Sequence, residues 1–511
     1  MNMEKRLLLA LAFSFIVLAV WSNFTVKPKT AVNPQDFPQK ALSVEKTSPG
    51  TLVPIVSSTP APALTSAALF ESQQGKRKFV FVEPQGAIKE VVFLGYQSYA
   101  FPLKNSLFSG DGNLAFTRQP HGNNGFTYSY EDGEKRISKQ FDFSGSGYEF
   151  EVLLKVENLS GSPLALKLPV LLGTLDPATA KDRMSFHDVT IVDSEKILHP
   201  NFQKEASFNH LRFIALRDRY FCAIIEPSQS DSIGFIAKTP SKGSEVGILF
   251  PDLKIVPRGT WEQKFKVYIG PQDAKTLKAI NPDWQSVIYF GKFDLIAQGL
   301  LMMLEVFYNI FHSWGWVIIC LSLVIYLVLY PLTMKQMRSM KEMQLLQPKI
   351  EELRLQFKDN AQRLNKEIME LYRTHKVNPF SGCLPMILQI PIFFALYQVL
   401  TRSIALKGAS FFWIKDLSEP DRLFLFPQSL PLIGNEFNIL PILMAIEMFI
   451  QQKFSMTNVS PAQAEQQKIM LVIMPVMFGF LFYRMPSGLV LYWFINSSLT
   501  MAYQLRVAKA K

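Results

Sequence analysis

The sequence predicts an α-helical polytopic membrane protein that carries a large exported antiparallel β-sandwich domain. Apolar segments at Trp314–Tyr330, Leu384–Leu400, Ile439–Ile450, Ile469–Tyr483 and Gly488–Tyr503 crowd the C-terminal part, and Leu7–Trp21 stands alone far upstream. Between them lie short β-type runs punctuated by Gly, Asn and Asp. Basic residues gather in alternate connections between the apolar segments. Five such segments in one chain exclude a soluble enzyme.

The chain has 511 residues and a net charge of +11, and it is only 48 % hydrophobic because a polar half dilutes an apolar half. The excess positive charge follows the connections, so no specific nucleic acid is expected as a partner. Met3-Glu4-Lys5-Arg6 precedes the first apolar segment, and Lys335, Arg338, Lys341, Lys349, Arg354, Lys358, Arg363, Lys366, Arg373 and Lys376 fill the connection after the second. The connection 403–437 carries Lys407, Lys415 and Arg422 against Asp416, Glu419, Asp421 and Glu436. This bias predicts both termini and the basic connection inside, with the β-rich domain outside.

Residues 1–25 read as an uncleaved signal anchor, since Trp21-Ser22-Asn23-Phe24 offers no small-residue cleavage site and no lipobox follows. Residues 26–70, rich in Pro, Ala, Ser and Thr, read as a linker. The β-sandwich is expected over 71–285, with strands near Lys78–Val82, Lys89–Leu94, Phe150–Val156, Phe213–Leu216, Phe221–Ile225, Ile233–Ala237 and Trp261–Ile269. Gly110-Asp111-Gly112 and Gly145-Ser146-Gly147 supply turns. His121, His187, His199 and His210 lack zinc-helix spacing, and Cys222 is the one exported cysteine of three in the chain. No Walker A sequence, kinase signature or metal constellation is present, so no cofactor is expected.

Residues 286–313 predict an amphipathic helix lying in the outer interface: Leu300, Leu304 and Phe307 share an apolar face opposed by Asp294, Gln298, Glu305 and Asn309. The helical core is expected over 314–505, with a basic helical hairpin at 335–378 and a short basic tail at 506–511. In the hairpin, Gln347-Pro348 opens one helix, Asp359-Asn360 breaks it and Asn378-Pro379 ends the second. Lys349, Arg354, Lys358 and Arg363 make it either a rigid connector or a docking surface for acidic partners or ribosomal RNA. Ile439–Ile450 and Ile469–Tyr483 give spans of only 12 and 15 residues. Fifteen residues cover roughly 22 Å, short of a hydrocarbon core of about 30 Å.

Polar residues recur inside these spans at helical spacing. Ser322, Tyr326 and Tyr330 share one face; Gln389 lies inside the third span; Tyr492, Asn496 and Thr500 share another face beside Trp493 and Ser497. Such groups need partners or water, which predicts a wet concavity lined by Ser322, Tyr326, Gln389, Tyr492, Trp493 and Asn496. Glu447 stands in the body of the fourth span, where a charge costs about 2.5–3.5 kcal/mol. Arg484 is read as an interfacial anchor beside Met485-Pro486-Ser487-Gly488.

The sequence resembles the YidC/Oxa/Alb family of membrane protein insertases in its long Gram-negative form. Tyr330-Pro331-Leu332-Thr333, Gly382-Cys383-Leu384-Pro385, Gln389-Ile390-Pro391 and Gln466-Gln467-Lys468 carry the resemblance. The most specific match is Pro486-Ser487-Gly488-Leu489-Val490-Leu491-Tyr492-Trp493. The resemblance implies a five-helix core with a hydrophilic groove, a periplasmic β-supersandwich and an inner-membrane location. It also implies nascent membrane proteins as clients, with the Sec translocon, ribosome or targeting factors as partners and the lipid bilayer as the medium. Substrates are then expected to slide past Tyr326, Tyr492 and Trp493. The family's usual groove arginine, five residues before the proline of the Pro-Leu-Thr motif, is replaced here by Tyr326. Arg484 is a candidate to supply that charge instead. The competing readings are a transporter or channel, and a membrane-anchored exported chaperone or binding module.

Overall fold

The structure, a computed structural model, describes residues 68–509 except 110–113, 123, 146, 176–186, 194–195, 229–231, 240–242, 359, 376, 378–383, 431–433 and 456–460. The expected anchor, most of the linker, the Gly110-Asp111-Gly112 turn and the Asn378-Pro379 helix end lie outside the described residues.

The β-domain opens with β1 (Ala68–Gln74), β2 (Arg77–Glu83), β3 (Ala87–Phe93) and β4 (Tyr99–Ser106), an antiparallel meander. Next come β5 (Thr117–His121), β6 (Gly125–Glu131), β7 (Lys135–Asp142), β8 (Glu149–Asn158) and β9 (Leu164–Leu175). After these follow β10 (Asp188–Asp193), β11 (Ile197–Leu198), β12 (Ala206–Phe208) and β13 (Leu211–Arg217). The last are β14 (Phe221–Pro227), β15 (Ile233–Lys238), β16 (Ser244–Ile255) and β17 (Thr260–Pro271). A nine-stranded sheet runs β11-β10-β13-β14-β17-β8-β7-β6-β5, and a four-stranded sheet runs β12-β15-β16-β9. Each expected strand falls within or overlaps one of these.

Alternation explains the register. In β8, Phe150, Val152, Leu154 and Val156 turn inward, and antiparallel pairing sets Val152 opposite Phe265 and Phe150 opposite Val267 of β17. Phenylalanines dominate this core: Phe81 meets Phe126 edge-on at 5.1 Å and Phe141 at 5.4 Å. Lys139 of β7 falls on the same inward face and is buried. Its ammonium donates to the carbonyls of Gln85 and Gly86 at 2.9 Å and of Leu107 at 3.4 Å, while burial pulls its pKa down to about 7. Gly86 holds φ +59°, and a Cβ there would meet the Tyr128 ring at 2.6 Å.

Strands β13 and β14 are buried on both faces. Ile214, Leu216, Phe221 and Ala223 enter the sandwich core, whereas Phe213, Ala215, Cys222 and Ile224 enter a second apolar core. That second core runs through Trp284 to Leu300, Leu321 and Leu396, joining sheet and helices in one packed body.

Among the described residues nine α-helices follow strand β17: α1 (Ala274–Ile280), α2 (Asp294–Phe311), α3 (Trp314–Leu345), α4 (Gln347–Gln356), α5 (Ala361–Thr374), α6 (Leu384–Arg402), α7 (Leu440–Ser455), α8 (Pro461–Phe482) and α9 (Ser487–Lys509). Helix α1 is capped by Asp273, whose carboxylate accepts from the Thr276 N–H at 2.8 Å. Pro348 occupies the first turn of α4, and Asn360 caps α5. These two helices share a small core of Leu346, Ile350 and Val377, separate from the two larger cores.

Two sequence readings are corrected. The helices of the fourth and fifth spans are longer than their apolar segments: α7 has 16 residues, about 24 Å and still under the hydrocarbon thickness, and α8 has 22. Backbone hydrogen bonding continues past the apolar stretch into Gln451, Gln452 and Lys453 of α7 and through Gln463–Lys468 of α8. In α8 only the apolar portion is brief. The connection 403–437 is also more than a loop, since β18 (Phe424–Leu430) and β19 (Gly434–Phe437) pair antiparallel within it.

By length and composition, two described helices could cross a membrane, at Gly291–Phe311 and Trp314–Met343. Leu295 is 88 % exposed on α2, as are Met302, Val306 and Ile310 in part, whereas Ala297, Leu300 and Leu304 are buried against the rest of the chain.

Candidate functional site

One end of the helical bundle is gathered against the β-domain. Asp421 caps α7 there, its carboxylate accepting from the Ile439 and Leu440 N–H groups at 2.9 and 3.0 Å. Tyr483 at the end of α8 donates to the Glu436 carbonyl at 2.8 Å. The Ser487 and Gly488 N–H groups at the start of α9 donate to the carbonyls of Glu419 and Leu417. Helix α3 begins at the same end, where a Cβ on Gly315 would strike the Phe411 ring at 2.0 Å.

Apolar packing is concentrated at this domain-proximal end. On α3 the buried residues cluster at Val317, Ile318, Leu321, Ser322, Ile325 and Tyr326, and from Leu327 to Arg338 none is buried. Helix α6 buries Ala395, Leu396, Val399 and Leu400, whereas Gln389 to Phe394 are half-buried or exposed. Helix α9 buries Ser487 through Tyr492, and no described residue after Tyr492 is buried. The distal halves of α3, α6 and α9 are therefore less buried by the rest of the chain than the proximal halves are.

The polar residues lie where tight packing stops. Tyr492 is fully buried, and its hydroxyl accepts from Gln389 Nε2 of α6 at 2.5 Å and from Asn496 Nδ2 at 3.3 Å. One cluster thus joins Gln389, Tyr492 and Asn496. Trp493, beside it, packs edge-on against Phe393 at 5.6 Å. Ser497 donates to Glu447 Oε2 of α7, a buried carboxyl whose Oε1 finds no partner among the described residues. Tyr326 stacks obliquely on Tyr330 at 6.1 Å, Tyr330 meets Tyr503 at 5.5 Å, and the Tyr503 hydroxyl touches Met334 Sδ.

Two expected residues, Ser322 and Arg484, lie outside this cluster. Ser322 is buried at the proximal end, and its hydroxyl donates to its own helix at the Ile318 carbonyl at 2.7 Å. Arg484 is exposed at the proximal end, close to Gly434 of the β18–β19 hairpin, and so does not enter the Tyr492 cluster. Lys349, Arg354, Lys358 and Arg363 are all exposed on the α4–α5 hairpin. Lys349 Nζ lies 3.1 Å from His375 Nε2, and Arg363 covers the Phe357 ring at 5.0 Å.

A second polar network fastens the β-domain to the bundle. Arg219, in the turn between β13 and β14, donates to the Thr401 carbonyl at 2.7 Å, to Glu419 Oε1 at 2.8 Å and to the Ser418 carbonyl. Tyr220 and Ser418 hydroxyls lie 2.9 Å apart, and Lys407 Nζ covers the Tyr220 ring at 4.7 Å. Asp218 holds the turn by accepting from the Tyr220 and Phe221 N–H groups at 2.7 Å and from the Tyr99 hydroxyl at 2.8 Å. Burial pushes its carboxyl up to about 6 against these hydrogen bonds. Nearby, Arg217 donates to Asp188 at 2.5 Å, and Arg402 at the end of α6 donates to the Tyr289 carbonyl at 3.3 Å. Sequence reasoning missed this network; its one local signal is the Arg217-Asp218-Arg219 triplet between two apolar strands.

A packed helical bundle bearing a β-sandwich at one end, with polar groups facing one another beyond the packing, defines a class of helical protein with a large appended β-domain. The family model described as 60Kd inner membrane protein matches residues 306–511, and that of the YidC periplasmic domain matches 68–303. The chain belongs to the YidC family of membrane protein insertases. It is 31 % identical to the membrane protein insertase YidC of Pelobacter propionicus over 99 % of both chains. It is 32 % identical to that of Citrifermentans bemidjiense, again over 99 % of both. A crystal structure described as an active YidC insertase with its first transmembrane domain resolved covers 86 % of this chain and 93 % of its own, at 19 % identity and a TM-score of 0.42.

Proposed function

We propose that this chain inserts transmembrane segments of nascent proteins into the inner membrane, alone or with the Sec translocon, through a hydrophilic groove on the distal halves of α3, α6 and α9. The observation that carries this reading is the gradient of burial, dense near the β-domain and loose beyond Tyr492, with Gln389, Tyr492 and Asn496 at the boundary. A segment entering from the loose end finds donors and acceptors for its polar flank there, and its apolar part meets lipid between the separated helices. Transfer of about 20 apolar residues into hydrocarbon supplies the driving free energy, and no covalent step is required. The packed proximal end blocks leakage across the bilayer.

The charge bias supports the orientation, with the β-domain periplasmic and the basic α4–α5 hairpin cytoplasmic, where its exposed cations face ribosomes or targeting factors. Parity supports an interfacial α2. Between the β-domain and the 403–437 connection the chain crosses by α3 and returns by α6; a third crossing by α2 would put these two regions on opposite sides. Arg219, however, bonds directly to Glu419.

Cysteine accessibility tests the groove. In a background without the three native cysteines, residues 389 and 496 should react with a membrane-impermeant maleimide from the cytoplasmic side, and residue 322 should not. Sealing of both 389 and 496 would exclude the groove. In proteoliposomes, insertion of a single-span substrate without accompanying solute flux separates an insertase from a channel.

A further inference from the structure

We propose that Glu447 makes this chain's groove selective for substrate flanks that are basic or neutral, and unfavourable to acidic ones. The inference rests on the groove reading above and names the substrate class for it.

Glu447 continues the inward stripe of Leu440 and Met444 on α7, and only 6 % of it is exposed, while Ile446 and Ile450 on the other side are exposed. It therefore faces the bundle rather than lipid. Ser497 of α9 donates to its Oε2, and Oε1 has no partner among the described residues. Ser497 follows Asn496 on α9, so Glu447 is bonded to α9 at the same level as the Gln389–Tyr492–Asn496 cluster, one residue round the helix.

A single hydrogen bond does not offset the burial of a carboxyl at membrane depth. A carboxyl kept there with one oxygen open is an acceptor awaiting a donor, which an ammonium, a guanidinium or an amide N–H supplies and a carboxylate does not. Nothing described in the bundle cancels its charge. Glu447 is the one charged side chain buried within α3 and α6–α9 among the described residues. Arg402 is half-buried at the proximal end, where it donates to the Tyr289 carbonyl. Arg484 is exposed at that end too, and Tyr326 brings no charge. Any charge that the described residues bury in the groove is thus negative.

The test uses the full-length protein in proteoliposomes without an imposed membrane potential. Three single-span substrates differ only in a translocated flank of lysine, glutamine or aspartate, each normalised to protein-free vesicles. The wild type should insert the lysine flank about tenfold better than the aspartate flank, the ratio that 1.4 kcal/mol produces. Glu447→Gln should bring that ratio to within about twofold. Its amide oxygen still accepts from Ser497, so a carboxyl serving only to clamp α7 to α9 would leave the ratio unchanged. An unchanged ratio, or equal insertion of both flanks by the wild type, overturns the inference. Should Glu447→Gln fail to fold, Tyr326→Arg replaces it, and added positive charge should narrow the ratio; no narrowing would count against the inference. Failure of the glutamine flank to exceed protein-free vesicles would sink the groove reading itself.

Discussion

The network around Arg219 and the cluster around Tyr492 both join elements distant in sequence, and they are finished differently. At the junction, Arg219 spreads its donors over two carbonyls and a carboxylate, and Asp218 accepts from three donors. In the bundle, Glu447 keeps an open oxygen, and Gln389, Trp493 and Asn496 remain half-buried. Arg219 and Asp218 are saturated, although the Thr401 hydroxyl beside them has no partner among the described residues; a saturated pair fastens, and a carboxyl with an open oxygen can exchange partners. Under the proposed function, the difference separates the part of this molecule that holds from the part that meets substrate.

The largest expected effect breaks the fastening. Arg219→Ala removes the donor shared by the Ser418 and Thr401 carbonyls and by Glu419, which keeps Arg422 and the Tyr220 hydroxyl, and should cost about 2–4 kcal/mol of stability. Thermal unfolding of the full chain in nanodiscs measures it, and a loss under about 1 kcal/mol would erase the contrast.

Lys139 sharpens the comparison, since it is fully partnered yet buried. Its folded pKa, about 7, lies below the ordinary lysine value, so between these pH values the unfolded chain binds the extra proton. Stability of the β-domain should then rise as pH climbs from 7 towards 10, by at most about 1.4 kcal/mol per unit. Comparing Lys139→Met with the wild type at pH 7 and pH 9 isolates this slope. Equal slopes would show that the amine stays charged in the fold.

On the working side, Tyr492→Phe deprives Gln389 and Asn496 of their shared acceptor and should cost about 1 kcal/mol. Insertion in proteoliposomes should fall more than stability does; an unaltered insertion rate would remove the cluster from the groove. The smallest effect is expected at Arg484. Its exposure predicts that Arg484→Gln changes stability by less than about 0.5 kcal/mol and leaves the flank preference of insertion as it was. A changed preference would mean that this arginine reaches substrates after all.

The helices and strands were readable because their periodicities are strong, as in the alternation of Phe150, Val152, Leu154 and Val156. The i, i+4 spacing of Tyr492 and Asn496 likewise announced a shared polar face, but their link to Gln389 depends on which helices become neighbours. Ser322 shows the limit of spacing arguments, because its hydroxyl can satisfy itself on the preceding turn. Arg219 and Glu419 are 200 residues apart and each resembles a surface charge in sequence. Lys139 shares the inward phase of Ile137 and Phe141, but none of the strands expected from the sequence covers it, and neither its burial nor its three carbonyl partners was anticipated.

The core that runs from Phe213 and Cys222 through Trp284 to Leu321 and Leu396 has a mechanical consequence. The sheet splints the periplasmic ends of the helices, so lateral pressure from the bilayer cannot spread them there without tearing strands β13 and β14 from their packing. Under the proposed function, compliance is left to the half far from the sheet, while the splinted end keeps its girth.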